Sequence, residues 1–185
     1  KLDLTYPGYI SSKATLLTAL GNKVIFAGDN FAPGYGEIWV SDGTQAGTIA
    51  LERFQPTISN NGPVYAMAEM NGYVYYGVVA GNNKTQIRRT DGTPGGTSLV
   101  YEFTSYTSAP VPALFKVING VLYFDMYDQY GAGNDMIWRS DGTTAGTYML
   151  RDLGTEYFAM GYFMGVGNNI CFMPGKFSNS GSTLF

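Results

Sequence analysis

The stretch Ile38-Trp39-Val40-Ser41-Asp42-Gly43-Thr44-Gln45-Ala46-Gly47-Thr48 decides the fold of this chain, because it returns twice. The second copy spans residues 87–97 and the third spans residues 137–147, so the turn aspartate recurs at Asp42, Asp91 and Asp141. A period of roughly 40–50 residues is typical of the blades of a β-propeller. The chain is therefore built from repeats.

A second marker, a short turn followed by an apolar segment, precedes each copy. The turn is Asn71-Gly72 or Asn119-Gly120 in the middle units, and Gly-Asn at positions 21 and 167. Asn-Gly and Gly-Asn are favoured two-residue hairpin turns, so a strand is expected on either side. The first full unit accordingly predicts four short antiparallel strands, at Thr15 to Leu20, Lys23 to Ala27, Glu37 to Val40 and Thr48 to Phe54.

Together the markers predict a single all-β domain over residues 1–185, a β-propeller of four four-stranded antiparallel blades of about 49 residues each. Leu4 aligns with Phe54 and Phe185 aligns with Trp39, so the N-terminal strand is expected to complete the last blade. The alternative is a four-blade fragment of a larger propeller. The repeat units are predicted at 5–54, 55–103, 104–153 and 154–185 plus 1–4.

Composition argues against several classes of function. The 11 Lys and Arg residues are scattered and the net charge is −3, so no nucleic-acid partner is expected. No run of about 20 apolar residues exists, so no membrane insertion is expected. The chain has no His, the commonest general base, and its single cysteine, Cys171, lies in an apolar strand and is predicted to be a buried structural thiol. We therefore expect no catalytic residues, no enzyme activity and no resident cofactor.

The Asp-Gly-Thr turns are predicted to be structural. Aspartate accepts hydrogen bonds from downstream backbone N–H groups, glycine supplies positive φ, and the threonine hydroxyl completes the turn. Trp39 and Trp138 are predicted to pack between blades, whereas Arg88 takes that place in the second unit and is expected to pack differently. The predicted turn residues are Asp42, Gly43, Thr44, Asp91, Gly92, Thr93, Asp141, Gly142 and Thr143.

The connections at the opposite end of each unit differ from one another, and binding residues favour such loops. The loops between second and third strands are predicted at residues 28–36, 80–85, 125–135 and 174–182, and the loops between fourth and first strands at 5–12, 55–63, 104–112 and 154–162. Their aromatic and polar side chains suit sugars and protein surfaces. The candidate ligand-binding residues are Tyr6, Tyr9, Tyr35, Tyr106, Tyr127, Tyr130, Tyr157, Asp29, Asn30, Asn82, Asn83, Asp125 and Asp128.

The third of these loops carries enough oxygen donors to suggest a Ca²⁺ site near Asp125, Asp128 and Asp135. The spacing does not match an EF-hand loop, so a solvated acidic loop is the favoured interpretation. No metal ligand is therefore assigned.

The three copies resemble the Glu-Leu-Trp-Lys-Ser-Asp-Gly-Thr-type repeats of large bacterial surface and secreted proteins. Residues 37–48 and 136–147 match best, and the second unit departs from the pattern with Arg88 and with Pro94-Gly95 in its turn. The resemblance implies a propeller fold, a location outside the cell or on its surface, and no defined catalytic activity.

These observations favour a non-catalytic binding module that recognises glycan or protein through the variable loops on one propeller face. The alternative is a structural or spacer module in a large adhesin, filament or secretion-linked assembly, in contact with neighbouring domains or subunits. A glycosidase-like enzyme is least favoured. It needs two carboxylates close together, and loop acids such as Asp29 and Asp125 form no recognisable motif.

Overall fold

The computed structural model describes residues 14–30, 35–54, 64–80, 84–103, 110–127, 135–154, 157–167 and 169–176. These residues form three four-stranded sheets and one two-stranded sheet, and every strand pair is antiparallel. A single turn of 3₁₀ helix, at Pro94–Gly96, is the one helical element among them.

The strands alternate with tight turns and variable connections, as the repeat pattern predicts. The first sheet contains β1 (Ala14–Leu20), β2 (Lys23–Asn30), β3 (Tyr35–Ser41) and β4 (Ile49–Phe54). The second contains β5 (Val64–Met70), β6 (Tyr73–Ala80), β7 (Lys84–Thr90) and β8 (Ser98–Phe103). The third contains β9 (Val111–Ile118), β10 (Val121–Tyr127), β11 (Met136–Ser140) and β12 (Tyr148–Asp152), and the fourth contains β13 (Tyr157–Val166) and β14 (Asn169–Lys176).

Each sheet is one blade of a β-propeller. Its strands pair in chain order, and the first strands of successive sheets contact one another, β1 with β5, β5 with β9 and β9 with β13. The predicted all-β propeller fold is thereby confirmed, and we number the sheets blades 1 to 4. Blade 4 has two strands within the described residues, and its predicted completion by residues 1–4 lies outside them.

One end of the blades, which we call the turn face, is fixed by side-chain hydrogen bonds. In blade 1 the Asp42 Oδ1 atom accepts from the backbone N–H of Thr44 at 2.9 Å and from its hydroxyl at 2.7 Å. The Thr44 hydroxyl oxygen in turn accepts from the N–H of Gly47 at 2.9 Å. The Thr44 hydroxyl bond holds the pKa of Asp42 below its usual value. The same bonds recur in Asp91-Thr93-Gly96 and Asp141-Thr143-Gly146.

The same turn explains the glycine that stands five residues after each aspartate. A Cβ atom on Gly47, Gly96 or Gly146 would overlap the carboxylate of the aspartate in its own turn. The carboxylate can therefore lie over the backbone only where the side chain is a hydrogen atom. The first hairpin of each blade reverses equally tightly, with Asn71 at φ 54° and Gly72 at φ 80°.

Successive blades pack two different faces against each other. In blade 1, the side chains of Ile25, Ile38 and Val40 point toward blade 2. Together with Val74 and Tyr76 of blade 2 they form the hydrophobic core between the two blades. We call this side of each blade the Ile face. The opposite side, which carries Trp39 in blade 1, we call the Trp face.

The Trp face of blade 3 makes an aromatic contact with blade 2. The ring centroid of Trp138 lies 4.9 Å from that of Phe103 and 5.9 Å from that of Tyr101. Phe124 completes the cluster, with its centroid 6.4 Å from those of Phe103 and Trp138. The predicted packing of a tryptophan between blades is confirmed for Trp138.

At the repeat position of Trp138, the contact between blades 1 and 2 is polar instead of aromatic. Arg88 stands where Trp138 stands in blade 3, and its guanidinium lies 2.5 Å from the Glu52 Oε1 atom on blade 1. Tyr76 donates its hydroxyl proton to Glu52 Oε2 at 2.6 Å. Burial raises the pKa of Tyr76, and the Glu52 charge raises it further. The second blade is therefore packed differently, as its departure from the repeat predicts.

The prediction of a buried Cys171 is wrong, because the thiol is exposed. Cys171 lies on the Ile face of blade 4, in register with Met164 of β13. An apolar strand sequence predicts burial only where another sheet covers that face.

Turn packing gives a matched pair of glycine substitutions in blade 2. Gly96→Ala should lower the free energy of unfolding by about 2 kcal/mol, because the new Cβ atom displaces the Asp91 carboxylate from its hydrogen bonds. Gly95→Ala, one residue earlier, meets nothing within 4 Å and should be neutral or slightly stabilising. Urea unfolding midpoints measure both, and equal midpoints would contradict this account of the turn.

The polar interface predicts a second stability difference. Glu52→Ala leaves the guanidinium of Arg88 in the interface without its carboxylate, and should cost about 2 kcal/mol in chemical unfolding. Lys84→Ala removes a more exposed ion pair, with Glu102, and should cost no more than about 0.5 kcal/mol. A smaller loss for Glu52→Ala than for Lys84→Ala would refute the role of this contact.

Candidate functional site

The end of the blades opposite the turn face, which we call the variable face, is where the predicted loops lie. Its strands run further than predicted, because β2, β6 and β10 continue beyond their repeated core. Asp29 and Asn30 end β2, Tyr35 begins β3, Asp125 and Tyr127 lie in β10, and Tyr157 begins β13. The predicted placement of these six residues on loops is therefore wrong.

The predicted ligand-binding residues fall into three groups, which differ in how much of each residue the structure describes. Tyr157 begins β13, and for Asp29, Asn30, Tyr35 and Tyr157 the structure gives the strand position alone. Asp125 and Tyr127 are described with their side chains. The remaining candidates lie outside the described residues: Tyr6, Tyr9, Asn82, Asn83, Tyr106, Asp128 and Tyr130.

Asp125 is buried, with 2% of its surface exposed. Its neighbours across the sheet are Ala113 in β9 and Ile137 in β11. Its Oδ1 atom has no hydrogen-bond partner within the described part of the chain. A buried carboxylate oxygen is costly to leave unpaired, so this atom is the strongest local sign of a functional site.

A second unpaired oxygen lies in the same neighbourhood. Tyr65 from β5 and Tyr127 from β10 pack against Val79 and Val111 at the junction of blades 2 and 3. The Tyr65 hydroxyl is buried and has no partner among the described residues. The Tyr65 hydroxyl and Asp125 Oδ1 are two of the five such side-chain atoms in the described part of the chain.

The carboxylates of Asp125 and Asp135 influence each other electrostatically. Burial and then the charge of Asp135 raise the pKa of Asp125 to about 8, against an opposing effect of the Met126 N–H. The pKa of Tyr127 is also raised, by burial and then by the nearby Tyr65, Asp125 and Asp135. We call Tyr65, Asp125, Tyr127 and Asp135 the acid–tyrosine cluster.

The acid–tyrosine cluster offers two kinds of chemistry. The carboxyl group of Asp125 exchanges a proton near neutral pH, and its Oδ1 atom accepts a hydrogen bond from any donor that reaches it. The phenol ring of Tyr127 adds a half-buried aromatic surface beside these groups. Such a combination suits a neutral ligand rich in hydroxyl groups.

Sequence reasoning found part of this cluster and missed part. Asp125 and Tyr127 are predicted ligand-binding residues, and Asp125 takes the place that Ala27 and Gly77 hold in blades 1 and 2. Tyr65 was missed, because nothing in its sequence position indicates that β5 places it beside β10. Its role depends on packing between blades.

The described residues contain no group of three or more side chains suited to holding a metal ion. Asp128, the third residue of the proposed Ca²⁺ site, lies outside them. That site accordingly stays a prediction. No helix within the described ranges is long and apolar enough to cross a membrane.

No protein-family model and no curated protein matches the sequence. Among solved structures, the chain resembles an exo-β-1,3-galactanase from Phanerochaete chrysosporium, at 12% identity and a TM-score of 0.48, over 90% of this chain and 42% of that one. It also resembles the computationally designed Ika4 protein, at 15% identity and a TM-score of 0.49, over 96% of this chain and 99% of that one.

An exo-β-1,3-galactanase from Clostridium thermocellum gives 12% identity and a TM-score of 0.45, over 80% of this chain and 37% of that one. The chain thus spans less than half the length of either galactanase. At these identities and TM-scores the likeness supports no inference about activity.

The acid–tyrosine cluster predicts an unusual dependence of stability on pH. The folded-state pKa of Asp125 lies above the ordinary value of 3.8, so the folded protein binds a proton more tightly than the unfolded chain. This contribution to stability is therefore full below about pH 4 and is lost as pH rises toward 8.

Between pH 5 and 7, wild-type stability should fall relative to that of Asp125→Asn by about 1 kcal/mol per pH unit. Chemical unfolding of both proteins in matched buffers measures the difference. Parallel pH profiles would show that Asp125 does not titrate in this window.

Proposed function

We propose that this protein is a non-catalytic binding module of a bacterial secreted or cell-surface protein. It recognises a glycan or a protein through the variable face. The repeat motif supports the proposed location. The ligand-binding role is supported by the contrast between the two faces, because the turn face repeats the same hydrogen bonds in three blades whereas the variable face differs in each.

One observation carries the proposal, and it favours a glycan as the ligand. Asp125 Oδ1 and the Tyr65 hydroxyl are buried polar atoms without partners among the described residues, and both residues interact electrostatically with Tyr127. Sugar hydroxyl groups can satisfy such atoms through ordered water, while the sugar ring stacks on an aromatic face.

The burial of the carboxylates supports a binding role over catalysis. Asp125 is 2% exposed and Asp135 is 8% exposed. A general acid must come within hydrogen-bond distance of the bond that it cleaves, so these groups would act on a substrate only after the surrounding side chains had moved.

A structural or spacer module in an adhesin, filament or secretion-linked assembly is the second candidate. The observation that favours it is the apolar surface of blade 4, where Met164, Val166 and Met173 are exposed. The two candidates make opposite predictions for the isolated protein, since a spacer has no ligand of its own on the variable face.

Binding to a glycan array, followed by titration calorimetry with each glycan retained, tests the proposal. Tyr127→Ala should weaken binding at least roughly tenfold, because it removes the stacking surface. Tyr148→Ala is the matched control, since Tyr148 is an exposed tyrosine of the same blade at its turn end and should leave the affinity unchanged.

Asp125→Asn adds a second measure, because it keeps the shape of the side chain while altering its donors and acceptors. Equal losses of glycan affinity in the Tyr127 and Tyr148 variants would contradict a binding site on the variable face. If no glycan binds and the protein instead captures a protein partner in a way that Tyr127→Ala weakens, the binding module stands but its ligand is a protein.

A further inference from the structure

Blade 4 presents an uncovered apolar face. Met164 and Val166 of β13 are 64% and 54% exposed, and Met173 of β14 is 52% exposed. Met164 pairs with Cys171 across the sheet, so these side chains share one side of the blade, its Ile face. The other side is packed on blade 3, where a Cβ atom on Gly165 would meet Ile118.

Blade 1 presents a partly uncovered face of the complementary kind, on which Phe26 is buried but Leu17 and Val24 are not. A cleft of about 530 Å³ lies on this Trp face, lined by Leu17, Val24 and Phe26 together with polar residues of the two turns, such as Asn22 and Asp42. Leu17 is 65% exposed, and Val24 is only half-buried. The corresponding residues Val74 and Leu122 of blades 2 and 3 are fully buried.

The contacts between blades 1 and 2 and between blades 2 and 3 show what normally covers each face. Between blades 2 and 3, Met70 and Tyr75 on the Ile face pack against Leu122 and Phe124 on the Trp face. Counted from the first hairpin turn, Val166 and Cys171 correspond to Met70 and Tyr75. Val24 and Phe26 correspond to Leu122 and Phe124.

The innermost strands follow the same correspondence. Ala68 and Phe115 both pack against the core between blades 2 and 3. By repeat position Met164 corresponds to Ala68 and Leu17 to Phe115. Blades 4 and 1 thus carry the two unmatched halves of an interface that the other neighbouring blades form within the chain.

We propose that the Ile face of blade 4 in one molecule docks on the Trp face of blade 1 in a second copy of this chain. Among the described residues, Met164 of blade 4 and Leu17 of blade 1 are both more than half exposed on the same molecule, so neither covers the other. A second copy supplies the matching face at equal concentration. The contact is head-to-tail, and two such contacts close a pair of molecules into a symmetric dimer.

The oligomeric state of the whole chain tests the proposal. Sedimentation velocity should show a species of at least twice the 20.1 kDa chain mass that dissociates on dilution. Leu17→Lys and Met164→Lys each put a charge into the buried contact and should raise the dissociation constant by roughly 100-fold. Both positions are more than half exposed in the single molecule, so folding should survive.

Leu99→Lys is the matched control, because Leu99 is an exposed leucine of blade 2 that belongs to neither face of the proposed contact. It should leave association unchanged. The double variant Leu17→Lys with Met164→Glu should recover part of the lost association, since opposite charges then meet in the contact. A chain that stays monomeric at every concentration would overturn the proposal, as would equal weakening by all three lysines.

Cross-linking to the single cysteine, Cys171, distinguishes docking on a second copy from contact between blades 4 and 1 of one molecule. In Leu17→Cys, a short bifunctional thiol reagent should join the new thiol to Cys171 of another molecule and give a dimer in denaturing electrophoresis. Leu99→Cys should give no such product. A cross-linked monomer, formed without any dimer, would show that blade 4 closes on blade 1 of its own chain and would refute the second copy.

Discussion

The structure depends on one constraint, which is that each blade is apolar on both sides and must be covered on both. A sheet exposed to water on one side alternates apolar and polar residues, whereas a sheet buried on both sides does not. In β6, both Tyr75 and Tyr76 are buried although they point to opposite sides. No blade can therefore fold stably alone, and the radial arrangement follows from this need for neighbours.

Hydrogen bonds at the turn face set the spacing between neighbouring blades. The Asn71 side chain donates to the carbonyl of Gly120 at 3.5 Å, and Asn119 donates to the carbonyl of Gly167 at 3.0 Å. Each asparagine thus has two roles. Its positive φ angle forms the turn of its own hairpin, and its side-chain amide donates a hydrogen bond to the next blade. The turn face is consequently held together both within each blade and between neighbouring blades.

Much of the fold could be predicted from the sequence, because its determinants are local and repeated. The spacing of Asp42, Asp91 and Asp141 predicted the strands around them, since a turn constrains only its own few residues. The site could be predicted less well. Burial of Asp125 follows from the length of β10 and from what packs beside it, and neither is encoded in the residues near Asp125. The pairing of Tyr65 with Tyr127 likewise needs two blades to be brought together.

The two complete interfaces are chemically unlike, and this has a consequence for the evolution of the repeat. Glu52 of blade 1 meets Arg88 and Tyr76, whereas the corresponding Tyr101 of blade 2 meets Trp138. Recombination between similar repeats that deleted blade 2 would place the carboxylate of Glu52 against the indole ring of Trp138. Such a chain would carry an unpaired charge at an aromatic contact, so blade 3 cannot replace blade 2 beside blade 1 without a loss of stability.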